Sequence, residues 1–154
     1  MRCFEKVSLE EFKKYYNEEL YNFSLPVRST KNSAGYDFFA VDRCVIKAHS
    51  SLKIISGVKA QMNYDEVLYL FSRSSMAIKN NITLKNNVAV IDSDFYNNPD
   101  NEGNICFVLE NNGDTDFVIE KGFKYAQGVF MKYLITDDDA SSGARNGGIG
   151  STLM

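Results

Sequence analysis

The feature that most constrains the fold is a series of short strand-like runs that begins after Pro26. The runs are rich in Val, Ile, Tyr and Phe, and clusters of Gly, Asn, Asp and Ser separate them. Regular spacing of this kind predicts an all-β sandwich, jelly roll or barrel. The predicted strands are Val41–Lys47, Leu52–Ile55, Val58–Met62, Val67–Phe71, Val88–Ile91, Ile105–Glu110, Phe117–Ile119 and Tyr125–Tyr133.

The segment before these runs has a different pattern. Ser8 and Glu11 form an S-x-x-E capping box, and Val7 and Phe12 occupy the two positions of a hydrophobic staple. Apolar residues recur at helical spacing as far as Leu20. We therefore expect one amphipathic helix in an N-terminal extension over residues 1–24, with an aromatic face that packs on the rest of the protein or on a neighbouring subunit.

A length of 154 residues predicts a single domain. Its β core is expected over residues 25–135. Residues 136–154 are rich in Gly, Ser and Asp and have few side chains whose burial would offset the entropy of ordering them. These residues are expected to form a flexible glycine-rich C-terminal arm that orders only when something binds it.

Composition disfavours several functional classes. The net charge is -3 and the 17 Lys and Arg residues are scattered, so a nucleic-acid surface is not expected. No apolar run approaches the roughly 20 residues that span a bilayer, and the N-terminus lacks the apolar stretch of a signal peptide. Three cysteines and one histidine without ligand spacing favour neither a disulfide framework nor zinc. We expect a soluble, non-secreted protein of the cytoplasm, or of the nucleus in a eukaryote, that contacts neither membrane nor nucleic acid.

Three segments carry candidate chemistry. Arg73 with Ser74 and Ser75 follows a predicted strand and suits a polyphosphate, although Ser-rich turns look alike. Asp92 ends an apolar run and suits the orientation of a water molecule, although Asx residues often only form turns there. Arg145 precedes a glycine-rich stretch with hydroxyl donors, a composition shared by phosphate-binding segments and by ordinary disordered termini.

Taken in order, five segments resemble the motifs of the trimeric dUTPase family over about residues 25–152. They are SAGYDFFA (33–40), SRSSMA (72–77), NNVAVIDSDF with EGNI (86–95 and 102–105), KGFKYAQ (121–127) and RNGGIGST (145–152). The resemblance implies a jelly-roll-like domain, a homotrimer whose active sites are each built from all three subunits, and an arm that covers a neighbour's site. It implies hydrolysis of dUTP to dUMP and pyrophosphate, which limits uracil incorporation into DNA and supplies dUMP for dTMP synthesis.

The resemblance also implies residue roles. Asp92 is similar to the catalytic aspartate that orients and deprotonates the attacking water. Asn86 and the backbone at Val90 and Ile91 resemble the hairpin that reads uracil, while Phe95 stands where the family has a tyrosine that packs on deoxyribose. The residues that resemble phosphate ligands are Arg73, Ser74, Ser75, Gln127, Arg145, Ser151 and Thr152.

The implied cofactor is Mg²⁺, held chiefly by the triphosphate and water, with Asp37 as the acidic residue near it. The sequence departs from the family pattern at four places. Phe95 lacks the tyrosine hydroxyl, Ile149 replaces a phenylalanine that stacks on uracil, and Lys124 replaces a frequent arginine. The insertion Tyr96–Asn101 has the composition of a surface hairpin extension.

Two alternatives stay open at this point. A dCTP deaminase shares the fold and several motifs, but its catalytic glutamate would fall at Val108, with Glu110 two places further on. A protein that uses dUTP as a signal to control a partner is the other alternative, and the retained Asp92 and Arg145 disfavour it.

Overall fold

The structure is a computed structural model that describes residues 1–145, 147 and 148. In this part the chain forms twelve strands and two short α-helices, with single 3-10 turns at Glu18–Tyr21 and Ser93–Phe95. The helices are α1 (Leu9–Lys13) and α2 (Ser74–Asn80). The strands are β1 (Cys3–Lys6), β2 (Val27–Arg28), β3 (Tyr36–Phe39), β4 (Cys44–Ile46), β5 (Ser51–Ile55), β6 (Val58–Gln61), β7 (Glu66–Ser72), β8 (Ile82–Leu84), β9 (Ala89–Asp92), β10 (Cys106–Asn111), β11 (Phe117–Ile119) and β12 (Lys124–Lys132).

The strands pair only antiparallel within the described residues. The largest sheet has the order β2-β3-β12-β7-β9, and a second has the order β5-β10-β8. Two further pairs, β1-β6 and β11-β4, complete the β structure. The core between the sheets is aromatic and aliphatic, with Phe38, Leu68, Phe107, Leu109 and Tyr125 each at most 1% exposed. The all-β, jelly-roll-like prediction is confirmed.

All eight predicted strands are present, with ends shifted by a few residues at most. Four strands were not predicted: β1, β2, β3 and β8. They are two to four residues long. The turn expected after Phe71 also proved to contain a helix, α2, whose length of seven residues gives a weak periodic signal.

The prediction of one helix through Leu20 is wrong. Helix α1 ends at Lys13, and β1 precedes it, so the N-terminal extension is only partly helical. The physical cause is the packing of Phe12, whose ring stacks on Phe23 at 5.4 Å and meets Tyr21 edge-on at 5.1 Å. These contacts require the chain to turn back, because a continued helix would carry Tyr21 away from Phe12.

Half of the predicted capping box is formed. The Ser8 hydroxyl accepts a hydrogen bond from the Glu11 backbone N–H at 3.1 Å. The reciprocal bond of a capping box would run from the Ser8 backbone N–H to the Glu11 side chain. Here that N–H donates to the Glu102 carboxylate at 2.8 Å, and the Ser8 hydroxyl donates to the same group. One serine therefore caps α1 and ties it to the loop that precedes β10.

Removal of this hydroxyl should destabilise the fold. We expect Ser8→Ala to lower the free energy of unfolding by about 1–2 kcal/mol, because a helix cap and a hydrogen bond to a charged group are lost together. Ser8→Thr, which keeps the hydroxyl, should retain most of the stability. The control is Ser141→Ala, whose hydroxyl contacts Asp139 on the surface. Denaturant unfolding followed by circular dichroism measures all three, and a Ser8→Ala protein as stable as wild type would contradict the role.

Candidate active site

The register of the main sheet separates the predicted phosphate ligand Arg73 from the predicted catalytic residue Asp92. Asp92 on β9 lies opposite Val67, near the start of β7. Arg73 follows the last residue of β7. The chain advances six residues from Val67 to Arg73, roughly 3.3 Å for each step, so the backbones of Asp92 and Arg73 lie about 20 Å apart. One chain thus holds two half-sites, here named the cradle (Asp37, Arg73, Ser74, Ser75, Gln127) and the acid edge (Asp92, Asp94, Phe95).

The cradle is a cavity of about 560 Å³ at the end of β7. Strand β3 brings Asp37 opposite Gln127 of β12, and α2 begins at Ser74 beside them. Gly35 also lines the cavity. A β-carbon at this position would lie 2.3 Å from the Gln127 side-chain oxygen, so the two residues approach closely because position 35 has no side chain. All five predicted residues are therefore brought together, with hydroxyl, amide and guanidinium donors facing one space.

Asp37 organises the charges of the cradle. Its carboxylate is 3.1 Å from Nε of Arg73 and 2.9 Å from Nζ of Lys124, and it accepts a hydrogen bond from Ser29 at 2.6 Å. Lys124 also donates to the Ser29 hydroxyl at 2.7 Å. The two cations and one carboxylate leave one positive charge in excess, which suits an anionic ligand.

The same contacts set the ionisation of Asp37. Burial raises the pKa of this carboxyl, but the hydrogen bond from Ser29 and the charges of Lys124 and Arg73 lower it more, so the pKa lies below its ordinary value. Asp37 is therefore a carboxylate at neutral pH.

This lowered pKa predicts an acid-sensitive fold. A carboxyl with a folded pKa below its unfolded value gives stability that is fully present above the unfolded value, about pH 3.9, and is lost as pH falls through the folded pKa. We expect wild type to lose more unfolding free energy than Asp37→Asn between about pH 4.5 and 2.5. Urea unfolding at several pH values measures this, with the exposed Asp114→Asn as the control that tracks wild type. Parallel curves for wild type and Asp37→Asn would contradict the assignment.

The acid edge lies where β9 passes into the turn Ser93–Phe95. The carboxylates of Asp92 and Asp94 are about half exposed, and Arg145 from the C-terminal arm pairs with both. Nε of Arg145 is 2.7 Å from Asp94, its Nη2 donates to Asp92, and its guanidinium lies 5.7 Å from the centre of the Phe95 ring. Arg145, predicted as a phosphate ligand, thus lies on the predicted catalytic carboxylate of its own chain.

The third group of predicted residues surrounds a separate cavity of about 320 Å³. The chain turns tightly before β9, where the Val88 N–H donates to the Asn86 carbonyl at 2.6 Å and Asn87 has a φ of 60°. The cavity is lined by Asn86, Val90 and Ile91, which the resemblance assigns to the base, and also by Lys53, Ala89, Cys106 and Val108. Lys53, Cys106 and Val108 lie at outward positions of β5 and β10. The alternating pattern of these strands in the sequence did not show that they lie beside Asn86.

This cavity bears on the deaminase alternative. Val108, which stands where a deaminase carries its catalytic glutamate, lines the cavity with an apolar side chain. Glu110 is not among the lining residues and lies 3.7 Å from Nζ of Lys85. The deaminase reading is therefore not favoured.

Three of the predicted site residues, Ile149, Ser151 and Thr152, lie outside the described residues. Across residues 1–145, 147 and 148, no three His, Cys, Asp or Glu side chains are grouped so that they could hold a metal ion. No helix in the same part of the chain is long and apolar enough to cross a membrane.

The chain is thus an all-β, jelly-roll-like protein with an anion cradle and a carboxylate edge, and comparison with known proteins shows its family. The dUTPase family model matches residues 21–153. A deoxyuridine 5'-triphosphate nucleotidohydrolase of Lactococcus lactis is 44% identical over 99% of this chain and 97% of its own length. One from Rickettsia akari is 37% identical over 75% of this chain and 77% of its own.

Solved structures agree with the sequence relatives. The crystal structure of a dUTPase from Streptococcus mutans superimposes with a TM-score of 0.74 at 43% identity, covering 87% of this chain and 98% of that one. A dUTPase from phage phi11 of S. aureus, 18% identical, gives a TM-score of 0.70 and shares the fold. The chain belongs to the dUTPase family. Because the L. lactis relative aligns with nearly the whole chain, the N-terminal extension is not peculiar to this protein.

Proposed function

We propose that this chain hydrolyses dUTP to dUMP and pyrophosphate at a site shared between subunits, with Asp92 as the base that activates water. The enzyme is a dUTP diphosphatase. The observation that carries the proposal is the separation of the cradle from the acid edge by the length of β7.

That separation is the reason for a shared site. A base must lie within hydrogen-bonding reach of its water, and the water must lie in line with the α-phosphorus. Phosphates seated in the cradle of one chain would leave Asp92 of that chain about 20 Å away, at the other end of β7. If the cradle of one subunit lies beside the acid edge of another, the phosphates and the base come close together. A closed ring of three identical head-to-tail contacts provides this arrangement.

At the acid edge, Asp92 is the group suited to water activation. Its carboxylate is half exposed, so water reaches it, and a rigid strand holds it. In the proposed step Asp92 takes a proton from water as the water oxygen bonds to the α-phosphorus, and the bond from that phosphorus to the bridging oxygen breaks. Pyrophosphate then leaves, and Arg73 with the hydroxyls of Ser74 and Ser75 stabilises its negative charge. Positioning of this kind supplies up to roughly 7–11 kcal/mol.

The cavity at Asn86 is proposed to select the base. An amide side chain together with the backbone of Val90 and Ile91 offers donors and acceptors that match the edge of uracil. Cytosine exchanges donor for acceptor and leaves buried groups unpaired, and the walls exclude the 5-methyl group of thymine. Phe95 would contact the deoxyribose once Arg145 leaves its ring.

The arm is proposed to complete the site. A triphosphate carries more negative charge than the two carboxylates of Asp92 and Asp94, so its arrival favours transfer of the Arg145 guanidinium from them to the phosphates. Ser151 and Thr152 would add hydroxyl donors, and Ile149 would cover the base by apolar contact. The retained pair of Asp92 and Arg145 favours catalysis over a protein that only binds dUTP as a signal.

Mg²⁺ is the proposed cofactor. Both oxygens of the Asp37 carboxylate are engaged by Ser29, Arg73 and Lys124, which suits a metal held by phosphates and water rather than by this side chain. When bound, the ion would neutralise charge on the triphosphate. Two structures support this ligand chemistry by their descriptions: one phage phi11 dUTPase has a structural Mg(II) ion, and one phage 80alpha dUTPase has bound dUpNHpp.

The role of Asp92 is tested by Asp92→Asn. We expect kcat for dUTP to fall by about 100- to 10,000-fold, because the base is lost while the shape of the site is kept. Pyrophosphate release from dUTP, dCTP, dTTP and UTP measures the effect, and Asp114→Asn is the matched control with wild-type kcat. Undiminished turnover of dUTP by Asp92→Asn would overturn the mechanism, and ammonia release from dCTP would restore the deaminase reading.

The shared site is tested by mixing two inactive variants. Co-expressed Asp92→Asn and Arg73→Gln chains should recover activity in about a quarter of their sites, because random assembly pairs an intact acid edge with an intact cradle from another chain. Arg73→Gln mixed with Gln127→Ala is the matched control, since both changes damage the same cradle and no recovery is expected. Equal activity in the two mixtures would contradict a site shared in this way.

A further inference from the structure

Of the described residues that line the cavity at Asn86, Lys53 alone is charged. It lies on β5, directly opposite Val108 of β10 in the register of the second sheet. The other side chains around the cavity are apolar, apart from the Asn86 amide and the Cys106 thiol. An ammonium group donates hydrogen bonds and accepts none, so this cavity offers a charged donor to whatever enters it.

The Lys53 ammonium has no hydrogen-bond or ion-pair partner in the part of the chain that the structure describes. The lysine next to the same cavity is different, because Lys85 lies 3.7 Å from Glu110 and 3.3 Å from the Ser51 hydroxyl. Burial raises the pKa of the Cys106 thiol, and the charge of Lys53 lowers it by a smaller amount, so this charge acts on a wall of the cavity. A ligand in the cavity therefore meets a donor that no protein group engages.

The cavity has two walls that belong to different sheets. Residues 89–91 form one wall on β9, and the same strand continues to Asp92 at the acid edge. Lys53 lies on the opposite wall, which β5 and β10 of the second sheet provide. A nucleotide whose α-phosphate lies at Asp92 has its sugar at the β9 side, so the far edge of its base points towards the wall of Lys53.

The far edge is where uracil and cytosine differ. C4 lies across the ring from N1, the atom that carries the sugar. Uracil has a carbonyl oxygen on C4, whereas cytosine has an amino group there. An ammonium pairs with the carbonyl oxygen, but against the amino group it leaves two donors unpaired, which costs far more than the loss of an apolar contact.

We propose that Lys53 is a specificity-determining residue for the base, whose ammonium donates a hydrogen bond to the C4 carbonyl oxygen of uracil and disfavours the amino group of cytosine. The proposal rests on the function proposed above, since it needs a uracil nucleotide in the cavity at Asn86. Lys53 adds a side chain from β5 to the groups that β9 and Asn86 supply. A bond to the base is made equally in the ground state and the transition state, so it acts on KM rather than on kcat.

Lys53→Met tests the residue, because methionine keeps an unbranched side chain and removes the charge. The base preference is measured as the Ki of dCTP divided by the KM of dUTP, from pyrophosphate release. We expect KM for dUTP to rise about tenfold with kcat near wild type, and the preference to fall about tenfold. Lys53→Arg keeps the charge and should recover most of the preference. Lys47→Met is the matched control with wild-type values, because that lysine is 72% exposed and pairs with Asp116.

Substrates that carry sulfur assign the oxygen, because sulfur is a weak hydrogen-bond acceptor. For 4-thio-dUTP the bond is already weakened, so Lys53→Met should change KM by less than about twofold. For 2-thio-dUTP, in which the C4 oxygen is kept, the same substitution should still raise KM about tenfold. Equal effects of Lys53→Met on the two substrates would overturn the assignment to C4.

The outcomes separate this proposal from the proposed function. Equal base preferences in Lys53→Met and Lys53→Arg would overturn the role of the ammonium, even when wild type hydrolyses dUTP normally. A wild-type protein that releases no pyrophosphate from dUTP would refute the proposed function, and the role of Lys53 with it. Circular dichroism of each variant checks that the exposed substitution leaves the fold intact.

Discussion

The pairing of β7 with its two neighbours determines where every functional group lies. β12 pairs with one edge of β7 from Ala126 to Lys132, and β9 pairs with the other from Ala89 to Asp92. Leu68 and Leu70 on β7 are fully buried, and a slip of one residue would move both to the other face of the sheet, where Tyr69 and Phe71 are only half-buried. The register is therefore fixed, and with it the distance between the cradle at one end of β7 and the acid edge at the other.

The charges in the cradle depend on a buried carboxylate more than on any single cation. Asp37 positions Arg73 and Lys124 and offsets one of their charges, so both side chains stay in place without a ligand. The lysine at position 124 lacks the planar fork of an arginine, but a compact ammonium contacts Asp37 and Ser29 together. The excess positive charge that remains is available to phosphate.

Three segments outside the strand core act on one another near the acid edge. The N-terminal extension holds the insertion through Glu5 and Ser8, and the insertion contacts the arm at Gly148. The insertion and the arm are short of the apolar surface that would order them alone, whereas the extension buries Val7, Phe12 and Phe23 in the core. Their mutual contacts explain how polar loops beside Asp92 keep a defined shape, and they link both ends of the chain to the reacting groups.

The sequence by itself determined the β class, eight of the twelve strands in the described residues and the composition of the cradle, because strand alternation and the spacing of Arg73, Ser74 and Ser75 are local features. Only the tertiary structure decided the rest. The helix ends at Lys13 because Phe12 packs on Phe23. Lys124 and Ser29, which are far apart in the sequence, meet at Asp37, and Lys53 lines the same cavity as Asn86. The separation of Arg73 from Asp92 follows from strand register, which depends on which residues are buried together, and no local pattern specifies that.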